Sequence, residues 1–178
     1  ASKMKIAFVG GSFIHSLGRI LVSDGCLREL NTYFYLYQSV RGGVPVCWPW
    51  FGAIERNPDA IRAMTRGDNL PAHGLVRARD WTLRSFKEQD DCTEITLGFV
   101  SDHLLQQHWA HAADLQLTVT VGKSLAMELT TRNLGTEALA LTQALHTYFA
   151  ISAIDNVTST GFENTRYIDT LDEWREHR

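Results

Sequence analysis

Four side chains stand where they could move a proton or hold an anion: His146, His73, Arg41 and Arg77. His146 lies in Gln143-Ala144-Leu145-His146-Thr147-Tyr148-Phe149. If Leu145 and Thr147 point one way on an extended segment, His146 points the other, beside Ala144 and Tyr148. Histidine is the side chain best suited to give and take protons near neutral pH. His73 sits in a loop between Pro71, which stiffens the approach, and Gly74, which lets a ligand come near the backbone. Arg77 and Arg79 follow on what reads as the next strand. Arg41 heads Arg41-Gly42-Gly43-Val44-Pro45-Val46-Cys47-Trp48-Pro49-Trp50-Phe51-Gly52. Guanidinium donors match phosphate oxygens in pairs. Two tryptophans, a phenylalanine, two prolines and three glycines share those twelve residues with the arginine. Flat apolar walls from Trp48, Trp50 and Phe51, on stiff backbone beside a cation, suit a site that stacks a sugar ring and holds an anion. Each residue also has a plain structural use. A strand histidine can serve only a local hydrogen bond, a turn histidine its own loop, and an arginine the solvent. The residues alone leave both uses open.

The elements that must position these groups are mostly strands. Lys5 to Val9 reads as a strand ending at Gly10-Gly11. It resembles the start of a dinucleotide-binding unit, but the Gly-x-Gly-x-x-Gly pattern is missing. Asn31 to Tyr37 reads as a strand or extended loop. Pro58 to Arg66 predicts a short helix with Pro58 near its start. Trp81 to Phe86 and Glu94 to Phe99 predict strands. Leu115, Leu117, Val119 and Val121 alternate with polar residues, as do Leu125, Met127 and Leu129, and Gly122-Lys123 joins the two runs as a hairpin. Ser101 to Ala112 predicts a helix capped by Ser101, with Leu104, Leu105, His108 and Trp109 on one face. Leu139 to Thr142 and Val157 to Ser159 predict further short strands. Antiparallel strands with short turns point to a mainly β, sandwich architecture in one domain.

At 178 residues the chain is long enough to bury a core, and its 21% of charged residues reads as soluble and globular. A formal net charge of −3 argues against a general nucleic-acid binder. No apolar run reaches the roughly 18 residues a membrane helix needs. Cys26, Cys47 and Cys92 have no Cys-x-x-Cys spacing, which suggests reduced thiols in a cytoplasmic protein. Cys47 reads as a small buried apolar residue. His103, His108 and His111 lie together, but no further ligand is spaced to finish a metal site, so no metal is expected.

Taken together, these stretches resemble the hexose-6-phosphate mutarotases, a branch of the aldose 1-epimerase or galactose mutarotase-like superfamily. Arg41 to Gly52 resembles that group's Arg-Gly-Gly-[Ile/Val]-Pro-Val-Cys-Trp-Pro-Trp-Phe-Gly loop almost letter for letter. Leu70 to Arg77 is similar to its Leu-Pro-Ala-His-Gly-Phe-Ala-Arg stretch, and Ala144 to Phe149 to its Ala-Leu-His-[Thr/Ser]-Tyr-Phe strand. Asp155 to Asp169 resembles its next segment. The likeness covers about residues 38 to 178 and is poor over 1–37.

The resemblance implies an antiparallel β-sandwich, the supersandwich of that superfamily, and interconversion of the anomers of a hexose 6-phosphate without a cofactor. It implies that His146 is the general acid at the ring oxygen and that His73 holds ring hydroxyls or the ring oxygen. It implies that Arg41 and Arg77 bind substrate oxygens or the 6-phosphate, and that Trp48, Trp50 and Phe51 wall the pocket. It places the catalytic glutamate and a substrate-binding aspartate further along the family's chain than Arg178, and none of Glu163, Glu173 or Glu176 lies in a matching motif. The 178-residue chain is therefore expected to be a partial domain that is weakly active, inactive or poorly folded. A non-catalytic sugar-phosphate binder stays open beside the enzyme.

Overall fold

Strict alternation in the middle of the chain builds one antiparallel sheet. The computed structural model describes residues 2–9, 43–77, 79, 81–101 and 103–178. β1 (Ser2–Val9), β3 (Thr82–Glu88), β4 (Thr93–Val100), β5 (Ala113–Val121) and β6 (Ser124–Asn133) form a five-stranded sheet in the order β1-β6-β5-β4-β3. β5 and β6 make the expected hairpin, with Val121 opposite Leu125 and Leu117 opposite Leu129. β2 (Val46–Cys47) and β7 (Ala144–Leu145) pair separately.

The period-two pattern sorts the sheet's faces. Leu115, Leu117, Val119, Leu125, Met127 and Leu129 are buried on one face, where they meet Trp48, Val76, Leu105, Trp109 and Leu145. Each such buried side chain contributes about 1.5–3 kcal/mol by leaving water. A second cluster of Trp50, Ile54 and Ile61 packs with Leu70, Leu75 and Ala140. The other face is polar. A groove of about 490 Å3 there is lined by residues that include Thr96, Gln116, Thr118 and Glu128. Its two cations are already paired, Arg84 with Asp114 and Lys87 with Glu94 at 2.8 Å. A phosphate there would have to displace a carboxylate.

Arg77 and Arg79 lie in a turn and a bend before β3 and not on a strand, and four further expected elements differ. The helix after Pro58 is one turn, α1 (Asp59–Arg62), because the chain then leaves to let Arg66 N–H bond the His108 carbonyl at 2.8 Å. α2 runs over His103–His108 only. Ser101, the expected cap, is engaged at β5. Its hydroxyl accepts Ala113 N–H at 3.2 Å and its N–H bonds the Ala113 carbonyl at 3.1 Å, which ties it to the start of β5. Leu105 and Trp109 are buried as their spacing requires. Residues 139–142 form no strand, and the pairing strand is β7 instead. Residues 157–159 are irregular and follow a 3-10 turn at Ile154–Asn156. Asn31 to Tyr37 lies outside the described residues. No helix among those described is long and apolar enough to cross a membrane.

The chain divides into two compact units, residues 1–148 and 149–178. The second holds a small hairpin of β8 (Tyr167–Asp169) and β9 (Arg175–His177). Its turn is organised by Asp169, whose carboxylate accepts Leu171 N–H at 2.8 Å, and by a 2.8 Å contact between His177 Nε2 and Asp172.

Candidate functional site

The segment from Gly43 to Gly52 is the frame of the site. One edge pairs with residues 142–148 in a single antiparallel register. Tyr148 N–H donates to the Gly43 carbonyl at 2.9 Å, His146 N–H to the Pro45 carbonyl at 2.9 Å, and Thr142 N–H to the Pro49 carbonyl at 3.0 Å. The β2–β7 pairs Val46–Leu145 and Cys47–Ala144 lie between them. The other edge holds the histidine loop. Leu75 N–H donates to the Trp48 carbonyl at 2.8 Å, and His73 N–H to the Gly52 carbonyl at 2.8 Å. Three stretches far apart in sequence thus become neighbours on one backbone frame.

The frame brings His146, His73 and Phe51 together. The His73 and His146 ring centroids are 5.4 Å apart, edge to face. Phe51 lies 5.1 Å from His73 and 5.9 Å from His146. Tyr148 stacks on His146 at 4.9 Å and 22°. Leu145 turns into the core while His146 and Tyr148 share the opposite side, as strand alternation requires.

His73 has a left-handed backbone, φ 68°, a conformation histidine adopts more readily than most non-glycine residues. Its Nδ1 accepts Gly52 N–H at 3.3 Å, which assigns the remaining proton of the neutral ring to Nε2. Burial pushes its pKa below the ordinary histidine value, and the charges of Arg77 and His146 push the same way. Both effects favour the neutral ring, whose proton then sits on Nε2.

Arg77 is half-buried, and its Nε has no hydrogen-bond partner among the described residues. Its charge reaches both His73 and Cys47. Cys47 is fully buried, and burial pushes its thiol up to about 11 despite the nearby guanidinium. It is a core residue and not a nucleophile at neutral pH.

Trp48 and Trp50 do not wall the site. Both have no exposed surface. Trp48 packs edge to face on Trp109 at 4.6 Å, and Trp50 donates its indole N–H to the Pro71 carbonyl at 3.0 Å. They hold the frame from behind, because the core needs the large apolar area that the loop carries. Arg41 lies outside the described residues. His108 and His111 turn ring nitrogens to the carbonyls of Arg66 and Met64, each at 3.3 Å, and so pin α2 to the segment after α1.

Three residues join the site that motif spacing did not single out. Tyr148 was legible as a same-face neighbour of His146 but carried no chemical signal of its own. Asn57 and Thr142 gave no signal, because an asparagine before a proline reads as a helix start and a lone threonine as strand filler. Thr142 Oγ1 accepts Phe51 N–H at 3.0 Å and donates to Asn57 Oδ1 at 2.6 Å. Asn57 Nδ2 donates to the carbonyls of Phe51 and Ala53, both at 2.9 Å.

Comparison with known proteins bears on this arrangement. The family model for aldose 1-epimerase matches residues 32–176. The chain is 33% identical over 146 residues to the "Putative glucose-6-phosphate 1-epimerase" of Salmonella typhimurium, covering 82% of this chain and 44% of that protein. It is 33% identical over 147 residues to the protein of the same name from Escherichia coli, covering 83% and 45%. The chain therefore spans less than half the length of these curated relatives. The crystal structure of a "putative mutarotase (YeaD)" from Salmonella typhimurium superposes with a TM-score of 0.62 at 32% identity, covering 78% of this chain and 42% of that one. The expected galactose mutarotase-like β-sandwich class is borne out by that match and by the antiparallel sheets.

Proposed function

The chain belongs to the aldose 1-epimerase family, and on that premise we propose that it interconverts the α and β anomers of a hexose 6-phosphate, glucose 6-phosphate first among them, by acid–base ring opening. The observation that carries this is the pairing of His73 and His146 on one frame beside Phe51.

Anomer exchange requires a proton on the ring oxygen as its bond to C1 breaks, and loss of the proton from the C1 hydroxyl. The open aldehyde turns about its C1–C2 bond and closes on the other face, returning both protons. His146 is the acid at the ring oxygen. The acid role follows the likeness of Ala144 to Phe149 to the family's histidine strand, and the edge-to-face contact with His73 is in keeping with it. His73 Nε2–H donates to a ring or hydroxyl oxygen instead. No described residue is assigned as the base at the C1 hydroxyl.

Phe51 and Tyr148 present ring surface beside His146, which suits the C–H face of a pyranose. Arg77 has a buried Nε with no partner among the described residues and a charge felt by His73, as an anion ligand needs. Arg41 is assigned the same role from its motif alone. Proton transfer of this kind needs no electron carrier. A phosphorylated sugar and the free thiols of Cys47 and Cys92 both suit a cytoplasmic setting.

The test is the approach of fresh α-glucose 6-phosphate to anomeric equilibrium by NMR, with and without the protein, with α-glucose as comparison. Acceleration that is lost in His146→Ala supports a mutarotase. Broadening of the sugar-phosphate signals without acceleration would favour the non-catalytic binder. Neither effect would overturn both.

A further inference from the structure

Asn57 reaches the histidine pair without touching either ring. Its Nδ2 donates to the Phe51 carbonyl at 2.9 Å. The N–H of the same peptide unit, that of Gly52, donates to His73 Nδ1 at 3.3 Å. One peptide plane is therefore held on its oxygen by Asn57 and on its hydrogen by His73. We infer that Asn57, oriented by Thr142, is the positioning residue that sets the tautomer of His73 through the Phe51–Gly52 peptide. The inference deepens the mutarotase reading, because it takes His73 as a substrate ligand whose donor must be Nε2–H.

The network leaves one arrangement. Both Asn57 Nδ2 hydrogens meet carbonyls, which can only accept. Its Oδ1 must then take the Thr142 hydroxyl proton, at 2.6 Å. With that proton committed, Thr142 Oγ1 can only accept from Phe51 N–H, at 3.0 Å. Asn57 is 8% exposed, so water is poorly placed to replace any of these partners. A carbonyl engaged by a donor also makes the N–H of its own peptide a stronger donor. Without Asn57 the peptide is free to rotate, and Gly52 N–H leaves Nδ1. That bond favours the neutral ring, because a protonated Nδ1 would meet the N–H head on. Its loss lets the proton move to Nδ1 and eases protonation of the ring.

Long-range nitrogen–proton NMR spectra of the histidine rings test this without turnover. The wild-type protein should show His73 as the single Nε2–H tautomer. Asn57→Asp keeps the side chain's shape but, ionised, loses both donors. It should mix the tautomers of His73 and raise its titration midpoint. Thr142→Val should shift both readings in the same direction and less far, and Thr142→Ser should restore them. A change confined to thermal stability, with the His73 signals of the folded variants unchanged, would overturn the inference. If neither Asn57→Asp nor Thr142→Val folds, an Nδ1–H tautomer in the wild-type protein would still overturn it. Absence of mutarotation leaves these readings intact, so the two proposals fail separately.

Discussion

His73 and Gly52 are bonded to each other twice, the His73 N–H to the Gly52 carbonyl at 2.8 Å and the Gly52 N–H to His73 Nδ1 at 3.3 Å. One bond fixes the backbone of the loop and the other fixes its ring. A histidine at φ 68° thereby keeps one ring orientation, with its ring 5.4 Å from that of His146. Strain of this kind persists only where the surroundings over-determine it.

Replacing His146 should separate chemistry from folding. On the proposed mutarotase reading, His146→Gln is expected to slow anomer exchange by about 100- to 10,000-fold, the usual worth of a positioned general acid. The ring is half-buried and its backbone bond to Pro45 does not involve the side chain. Circular dichroism and the melting temperature should therefore change little. NMR exchange rates and a thermal melt on the same sample check both halves.

His73 should make the fold acid-sensitive. Its folded pKa lies below the ordinary value of 6.5, first through burial, then through Arg77 and His146. Between those two values the unfolded chain binds a proton that the folded chain refuses, so stability rises with pH there. The contribution is complete above 6.5 and is lost as pH falls toward and through the folded pKa. His73→Asn tolerates the left-handed backbone and does not titrate. Its melting temperature should fall less than that of wild type between about pH 7.5 and about pH 5.5. Equal slopes would show that His73 is not depressed.

Gly74 and Gly43 both have positive φ, 79° and 68°, but should respond differently to alanine. A Cβ on Gly74 would lie 2.0 Å from the Trp48 carbonyl oxygen, where the loop crosses the frame. One on Gly43 meets nothing within 4 Å. Gly43→Ala should cost about 1 kcal/mol, the conformational penalty alone. Gly74→Ala should cost about 2–4 kcal/mol, since backbone on both sides must move. Urea titrations of the two variants decide it, and equal costs would mean that the crossing is looser than described.

Cys47 should be chemically silent. With its thiol pushed up to about 11 and no exposed surface, alkylation at neutral pH should wait for unfolding. Peptide mapping after iodoacetamide treatment, with and without denaturant, reads this directly. Cys47→Ala should leave anomer exchange within about three-fold of wild type, at the stability cost of a small cavity. Rapid labelling of the native protein, or loss of turnover in a folded variant, would reopen a nucleophilic role.

By itself the sequence determined what local rules can carry. Strict alternation forced the β5–β6 hairpin and told which residues face the core. Alternation also put His146 and Tyr148 on one side of their strand, because side-chain direction along a strand depends only on the count of residues. The order of three motifs resembled a known family and so implied that His73 and Phe51 would meet His146, but their spacing along the chain did not bring them together.

Tertiary structure alone decided the rest. It turned Trp48 and Trp50 away from the site, because burial of their area depended on Trp109 and Pro71, which no local rule connects to them. It ended the segment at 139–142 as irregular backbone while still bonding Thr142 to Pro49, so a residue with no local signal entered the site. It also joined Asn57 to His73 through a peptide plane, a link made of hydrogen-bond direction in space, which spacing along the chain does not encode.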